Sequence, residues 1–221
     1  MDLPNGLLSS AWTLTAWALL LPVFAYAVRR APWRRLVDSS QLNAWLGMIV
    51  VLMLFWSLKA GVKPGLSLHL LGATVFTLAF GPWLAFLGLC AVLAAVTLNG
   101  GAGWQSFAAN ALLMAGVAVT VSHLALRASE RYLPRHLFVY LFVCGFFASG
   151  LAVSCVGLTA GLLLALAGVY EVQYLAGEYL PYFLLLGFAE AWLSGMVLTL
   201  FVIYRPDWVS TFDDKRYLRD K

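Results

Sequence analysis

Charge is scarce in this chain: Asp, Glu, Lys and Arg make up 11% of its 221 residues, against about 25% in ordinary soluble domains. Together with 62% hydrophobic residues and a mean hydropathy of +0.87, that scarcity excludes an ordinary soluble domain. Barrel-type alternation is missing too, so the long apolar runs point to helices, which satisfy their own backbone polar groups in lipid. A chain of this length has room for about six to eight spans and almost no extramembrane domain. No secretory leader is expected, because residues 1–10 carry Asp2 and no base. The three cysteines, Cys90, Cys144 and Cys155, lie in apolar runs without CxxC spacing, so they read as small buried hydrophobes rather than a thiolate metal site. The sequence has neither G-x-x-x-x-G-K-[ST] nor HExxH, which excludes a phosphate-binding loop and that metalloprotease signature.

The apolar runs predict an all-α membrane protein with about seven transmembrane helices, roughly at 12–28, 42–58, 66–80, 83–98, 107–126, 137–169 and 181–204. Residues 1–204 then form a single polytopic domain, and 205–221 form a short charged tail. The bases set the orientation. With the N-terminus outside, twelve of the fourteen Lys and Arg fall on one side, leaving only Lys59 and Lys63 opposite. The positive-inside rule makes the twelve-base side, with the C-terminus, cytoplasmic. Small residues in the sixth run (Gly145, Ser149, Gly150, Ala152, Ser154, Gly157) favour close helix packing in lipid.

Few polar groups lie within or beside these runs, and each is costly at membrane depth. His69, in Leu68-His69-Leu70-Leu71-Gly72-Ala73, has three readings: a metal ligand, a proton carrier, or a histidine capped by a neighbouring carbonyl. Glu190 is the only acidic residue inside a span. It reads either as part of a polar or gating network, or as a structural hydrogen bond to the helix carrying Asn110 or Ser106. Asn110 follows the Gly-rich stretch Asn99-Gly100-Gly101-Ala102-Gly103, where backbone could dip toward a site. His123 and His136 lie near basic links and read as interfacial. The N-terminal tip, 1–11, is either a disordered stub or an inserted segment. If inserted, its α-amine and the Asp2 carboxylate could join His69 around one divalent cation.

In order along the chain, Asp2-Leu3-Pro4-Asn5-Gly6-Leu7-Leu8, Leu68–Ala73, Phe80-Gly81-Pro82-Trp83, Asn99-Gly100-Gly101, Ala109-Asn110-Ala111, Leu186–Glu190 and Arg205-Pro206-Asp207 resemble the CbiM/NikM-like substrate-binding permeases of energy-coupling-factor (ECF) transporters for cobalt and nickel. The resemblance covers essentially the whole chain. It implies a multi-pass subunit of the inner membrane whose N-terminal tip plugs into the bundle. The metal would be held by Met1, Asp2 and His69, with Asn110 and Glu190 in supporting or gating roles.

Two positions depart from the family: Asp2 stands where histidine is usual, and Leu113 stands in place of a second asparagine. A carboxylate in place of an imidazole turns a nitrogen-rich square set into a harder mixed set, which weakens a nickel or cobalt preference. The resemblance further implies that the chain is no enzyme and holds no cofactor, the divalent transition metal ion being its transported substrate. Expected partners are a transmembrane coupling subunit, cytoplasmic ATPase subunits, in some members a small auxiliary membrane subunit, and lipids; nucleic acid is not expected. The alternative function is a membrane metal sensor or assembly factor that binds the ion without moving it.

Overall fold

The computed structural model describes residues 1–61 and 63–217; the last four positions of the expected charged tail lie outside the described residues. The principal helices are α1 (Ser10–Arg30), α2 (Ser39–Ser57), α3 (Ala73–Phe80), α4 (Pro82–Leu98), α5 (Phe107–Tyr132), α6 (Leu137–Leu166), α7 (Val172–Glu178) and α8 (Tyr182–Tyr204). A last turn, α9 (Asp214–Tyr217), follows. Among the described residues there is no strand, only an isolated bridge between Ala60 and Leu68. Five helices, α1, α2, α5, α6 and α8, are long and apolar enough to cross a membrane, and α4 is a shorter apolar helix of 17 residues. The chain is a multi-pass, all-helical membrane protein.

The third apolar run is only partly helical. Residues 67–72 lie outside helix, and α3 starts at Ala73, just after Gly72, whose φ of +64° suits glycine. It stops eight residues later at Gly81-Pro82, where Pro82 opens α4. All eight α3 residues are buried, so α3 and α4 form the centre of the bundle. The outer helices turn leucines such as Leu14, Leu54 and Leu184 outward, as lipid requires. The overlong sixth run is one helix with a π-helical stretch at Tyr140–Phe147, and α5 carries another at Ala111–Val117. The acidic link before the last run contains α7, a helix the sequence reading did not anticipate.

Two kinds of packing hold this arrangement. Helices α6 and α8 meet through small residues, with Ser154 bonding the Gly150 carbonyl on its own helix and Ser149 reaching the Glu190 carbonyl across the interface. At the basic end, the short α3 leaves its last carbonyls without intrahelical partners. Ser210 N donates to Ala79 O (2.8 Å), Thr211 Oγ1 to Leu78 O (2.8 Å) and an Arg35 guanidinium nitrogen to Ala79 O (3.0 Å). The described part of the tail therefore packs back on the bundle, burying Val209, Phe212 and Tyr217.

Candidate metal centre

The N-terminal tip is inserted. Met1 and Leu3 are wholly buried and Asp2 is 5% exposed. An extended segment at membrane depth must pair every backbone group, and the partners are specific. Asn110, fully buried at the start of α5, brackets Leu3: Leu3 N donates to Asn110 Oδ1 (2.9 Å) and Asn110 Nδ2 donates to Leu3 O (3.1 Å). Gly103 N also reaches Leu3 O (3.3 Å), and Ser106 Oγ donates to Pro4 O (2.8 Å). Gly103 must be glycine, because a Cβ there would sit 2.3 Å from the Asn5 amide nitrogen. Asn110 thus acts on the tip, and among the described residues its side-chain hydrogen bonds go to Leu3 and not to Glu190.

On the other side of the tip, Ser67 gathers the first two residues. The Met1 amine donates to the Ser67 carbonyl and to Ser67 Oγ, and Asp2 N donates to Ser67 Oγ (3.0 Å). That hydroxyl in turn donates to Asp2 Oδ2 (3.1 Å), and Lys59 Nζ lies 3.4 Å from the same oxygen while donating to the Gly101 carbonyl. One carboxylate oxygen is therefore fully engaged. The other, Oδ1, has no hydrogen-bond partner.

Asp2 Oδ1 faces His69 Nε2 at 3.7 Å, which is too long for a hydrogen bond. Nε2 is likewise buried without a partner. His69 Nδ1 sits 3.1 Å from Leu70 O, which can only accept, so Nδ1 carries a proton and the other ring nitrogen, Nε2, is the one turned to Asp2. Trp56 packs on the imidazole with centroids 5.0 Å apart and anchors the same segment through Nε1 to Leu71 O (3.1 Å). The capped-histidine reading of His69 is therefore true of one ring nitrogen and leaves the other free. Two buried polar atoms thus face each other, neither of them hydrogen-bonded.

Burial alone would push the Asp2 carboxyl up, but His69, the N-terminal amine and Lys59 outweigh it and hold the carboxyl well below the usual range. Burial lowers the Met1 amine to about 5, with Asp2 opposing and Lys59 adding to the shift. A neutral amine with its two hydrogens on Ser67 keeps a lone pair. Among the described residues no group of three or more His, Cys, Asp or Glu could hold a metal, so any fuller donor set draws on the amine or the backbone.

Glu190 stands one step behind His69. Its buried carboxylate accepts from Leu71 N (2.8 Å) and Gly72 N (2.7 Å), with Ser194 Oγ at 3.5 Å. It is a structural anchor for the His69 segment, and its partners are those amides, where the sequence reading had looked to the helix of Asn110 and Ser106. Ser67 and Lys59 were missed from sequence. His136 caps α6 through Nδ1 to Phe138 N (3.2 Å), and His123 borders a cleft with Arg127 and Arg131, so neither joins the site.

A helical bundle that draws its own N-terminus into a desolvated polar site near one end of the membrane-crossing helices has the architecture of a transmembrane transport component. The chain matches the family described as CbiM, the cobalt uptake substrate-specific transmembrane region, over residues 2–208, and it belongs to that family. Members are parts of larger transport systems, which implies partner subunits. Two crystal structures share the fold, each at TM-score 0.79 and 20% identity over 92% of this chain. One is a truncated transition metal transporter covered over 99% of its length, the other a transition metal transporter covered over 93%. No curated protein sequence gives a significant match. The family read from the sequence is borne out.

Proposed function

We propose that this chain is the substrate-binding subunit of an energy-coupling importer of the inner membrane, and that it captures a divalent transition metal ion between the Met1 amine, Asp2 Oδ1 and His69 Nε2. The observation that carries the reading is the pair of unpartnered buried donors 3.7 Å apart. With metal–donor distances of about 2.1 Å, such a pair subtends an angle of roughly 120° at the ion. That is wider than the ~90° between neighbours in a square-planar site, so the site tolerates ions without a planar preference, such as zinc or high-spin cobalt.

Two features support the topology proposed here: seven passes with the tip outside. The short α3 and the 17-residue α4 complete the alternation of the five long helices, and the bases crowd the end opposite the tip. Uphill transport would draw its energy from ATP hydrolysis, and the 221 residues carry no G-x-x-x-x-G-K-[ST] motif. Membership of a family of transport-system components supports placing ATP hydrolysis and coupling on partner subunits.

Metal accumulation across several divalent ions, in cells expressing the chain with and without those partners, tests the proposal. Accumulation that needs both the partners and His69 supports it. Tight binding by the purified chain without any accumulation would favour the sensor or assembly role instead. Accumulation unchanged by His69→Ala would refute the site.

A further inference from the structure

One charged side chain at the site takes no part in the proposed coordination. Lys59 Nζ lies 3.4 Å from Asp2 Oδ2, the carboxylate oxygen that does not face His69, and also donates to the Gly101 carbonyl. That separation is long for a charge-assisted hydrogen bond, so Lys59 acts on Asp2 through its charge more than through a fixed bond. Asp2 does not depend on it for orientation, because Ser67 Oγ already donates to the same oxygen at 3.1 Å. The Lys59 side chain is 28% exposed and that of Asp2 only 2%, so the ammonium stands at the rim with the carboxylate beneath it. Lys63, the other base of this loop, is turned elsewhere, with Nζ 3.9 Å from the centre of the Tyr174 ring.

A nitrogen ligand must shed any proton on its ligating atom before it holds a metal. Lys59 is not a ligand and meets no such requirement, so its charge stays beside an ion bound at Asp2 Oδ1. The carboxylate group and the 3.4 Å contact separate that ion from the ammonium by only about 5–8 Å. At that range the repulsion between a dication and an ammonium is worth on the order of ten-fold in affinity even in water-like surroundings. We propose that Lys59 is the resident counter-cation of the site: it balances the Asp2 carboxylate while the site is empty and opposes a divalent ion once bound, which sets how readily the ion is released. The inference rests on the site proposed above. A transport subunit has to let its cargo go, and a buried carboxylate with no opposing charge would retain a dication longer. Lys59 is not stranded when the ion takes over Asp2, because the Gly101 carbonyl and solvent remain to it.

The test is Lys59→Gln in the purified full-length chain, which keeps an N–H donor and drops the charge. Lys59→Arg is the charge-conserving variant, His69→Ala is the control for the site, and Co(II) is the probe, all at one pH and ionic strength. Three quantities are measured: the equilibrium dissociation constant, the rate at which a chelator strips the loaded protein, and hydrogen exchange of the Leu3 amide without metal, which reports tip docking. Lys59→Gln is expected to bind Co(II) on the order of ten-fold more tightly and to release it correspondingly more slowly. Lys59→Arg is expected to match wild type. Loss of the contact itself acts in the opposite direction but is smaller, at most about five-fold for a partly exposed pair.

Weaker binding in Lys59→Gln, with or without faster Leu3 exchange, would overturn the proposal and make Lys59 a strap that holds the tip. Unchanged affinity and release in Lys59→Gln would overturn it as well, and so would a Lys59→Arg variant that departs from wild type in step with Lys59→Gln. Each of these results leaves the site standing as long as His69→Ala loses binding. If wild type takes up no Co(II), or His69→Ala binds as tightly as wild type, the site itself fails and this inference with it.

Discussion

Asn110 offers a way to weaken the site without touching it. Its side chain makes two hydrogen bonds to Leu3, and neither reaches Asp2 or His69. In Asn110→Ala the Leu3 amide becomes a buried unpaired donor, at a cost of about 1–3 kcal/mol, and the second bond contributes about 1 kcal/mol more. The Leu3 carbonyl keeps its weaker bond from Gly103, which limits the damage. The loss is therefore about 2–4 kcal/mol in the equilibrium between docked and undocked tip, or about 30- to 1,000-fold. Apparent metal affinity scales with the docked fraction, so part of this factor is absorbed before the docked tip ceases to dominate. The expected result is Co(II) binding weakened roughly 10- to 100-fold, with an unaltered spectrum at saturation. Hydrogen exchange of the Leu3 amide should accelerate in parallel in the metal-free protein. Equilibrium dialysis and exchange measured by mass spectrometry read the two quantities separately. Unchanged affinity together with accelerated exchange would refute the dependence of the site on tip docking.

Gly103→Ala places a methyl 2.3 Å from the Asn5 amide nitrogen, so the tip must shift and metal affinity should fall at least ten-fold while overall helicity by circular dichroism stays constant. Glu190→Gln offers one acceptor oxygen to two buried amides, Leu71 N and Gly72 N, and turns an amide group toward the other donor; thermal stability in detergent should fall by about 2–4 kcal/mol. Asp2→His restores a nitrogen-rich donor set, so competition binding should show a rise in nickel over cobalt preference. No change in that ratio would mean that the second side chain does not ligate.

The sequence was most legible where chemistry is costly. His69 stood out because an imidazole in an apolar run needs a reason, and the structure gives Nδ1 a carbonyl and turns Nε2 to Asp2. Asp2 could be joined to it only through the family resemblance, because nothing in local periodicity brings residue 2 beside residue 69. In the sequence Lys59 is one of two outer bases, with Lys63, and Ser67 is part of a span, since their roles exist only after the tip docks. The run at 66–80 looked like a span because a short apolar stretch does not distinguish helix from extended chain. The extended half is set by the Ala60–Leu68 bridge and the docked tip, which are long-range. The π-helical stretches in α5 and α6 have no sequence signature of their own.

X-ray absorption at the metal edge of the Co(II)-loaded, full-length protein tests the central claim most directly. The account predicts a shell of nitrogen and oxygen donors at about 2.0–2.2 Å with the outer-shell scattering of a single imidazole, and loss of that imidazole signature in His69→Ala. A shell with no imidazole, or one that persists unchanged in His69→Ala, would contradict it.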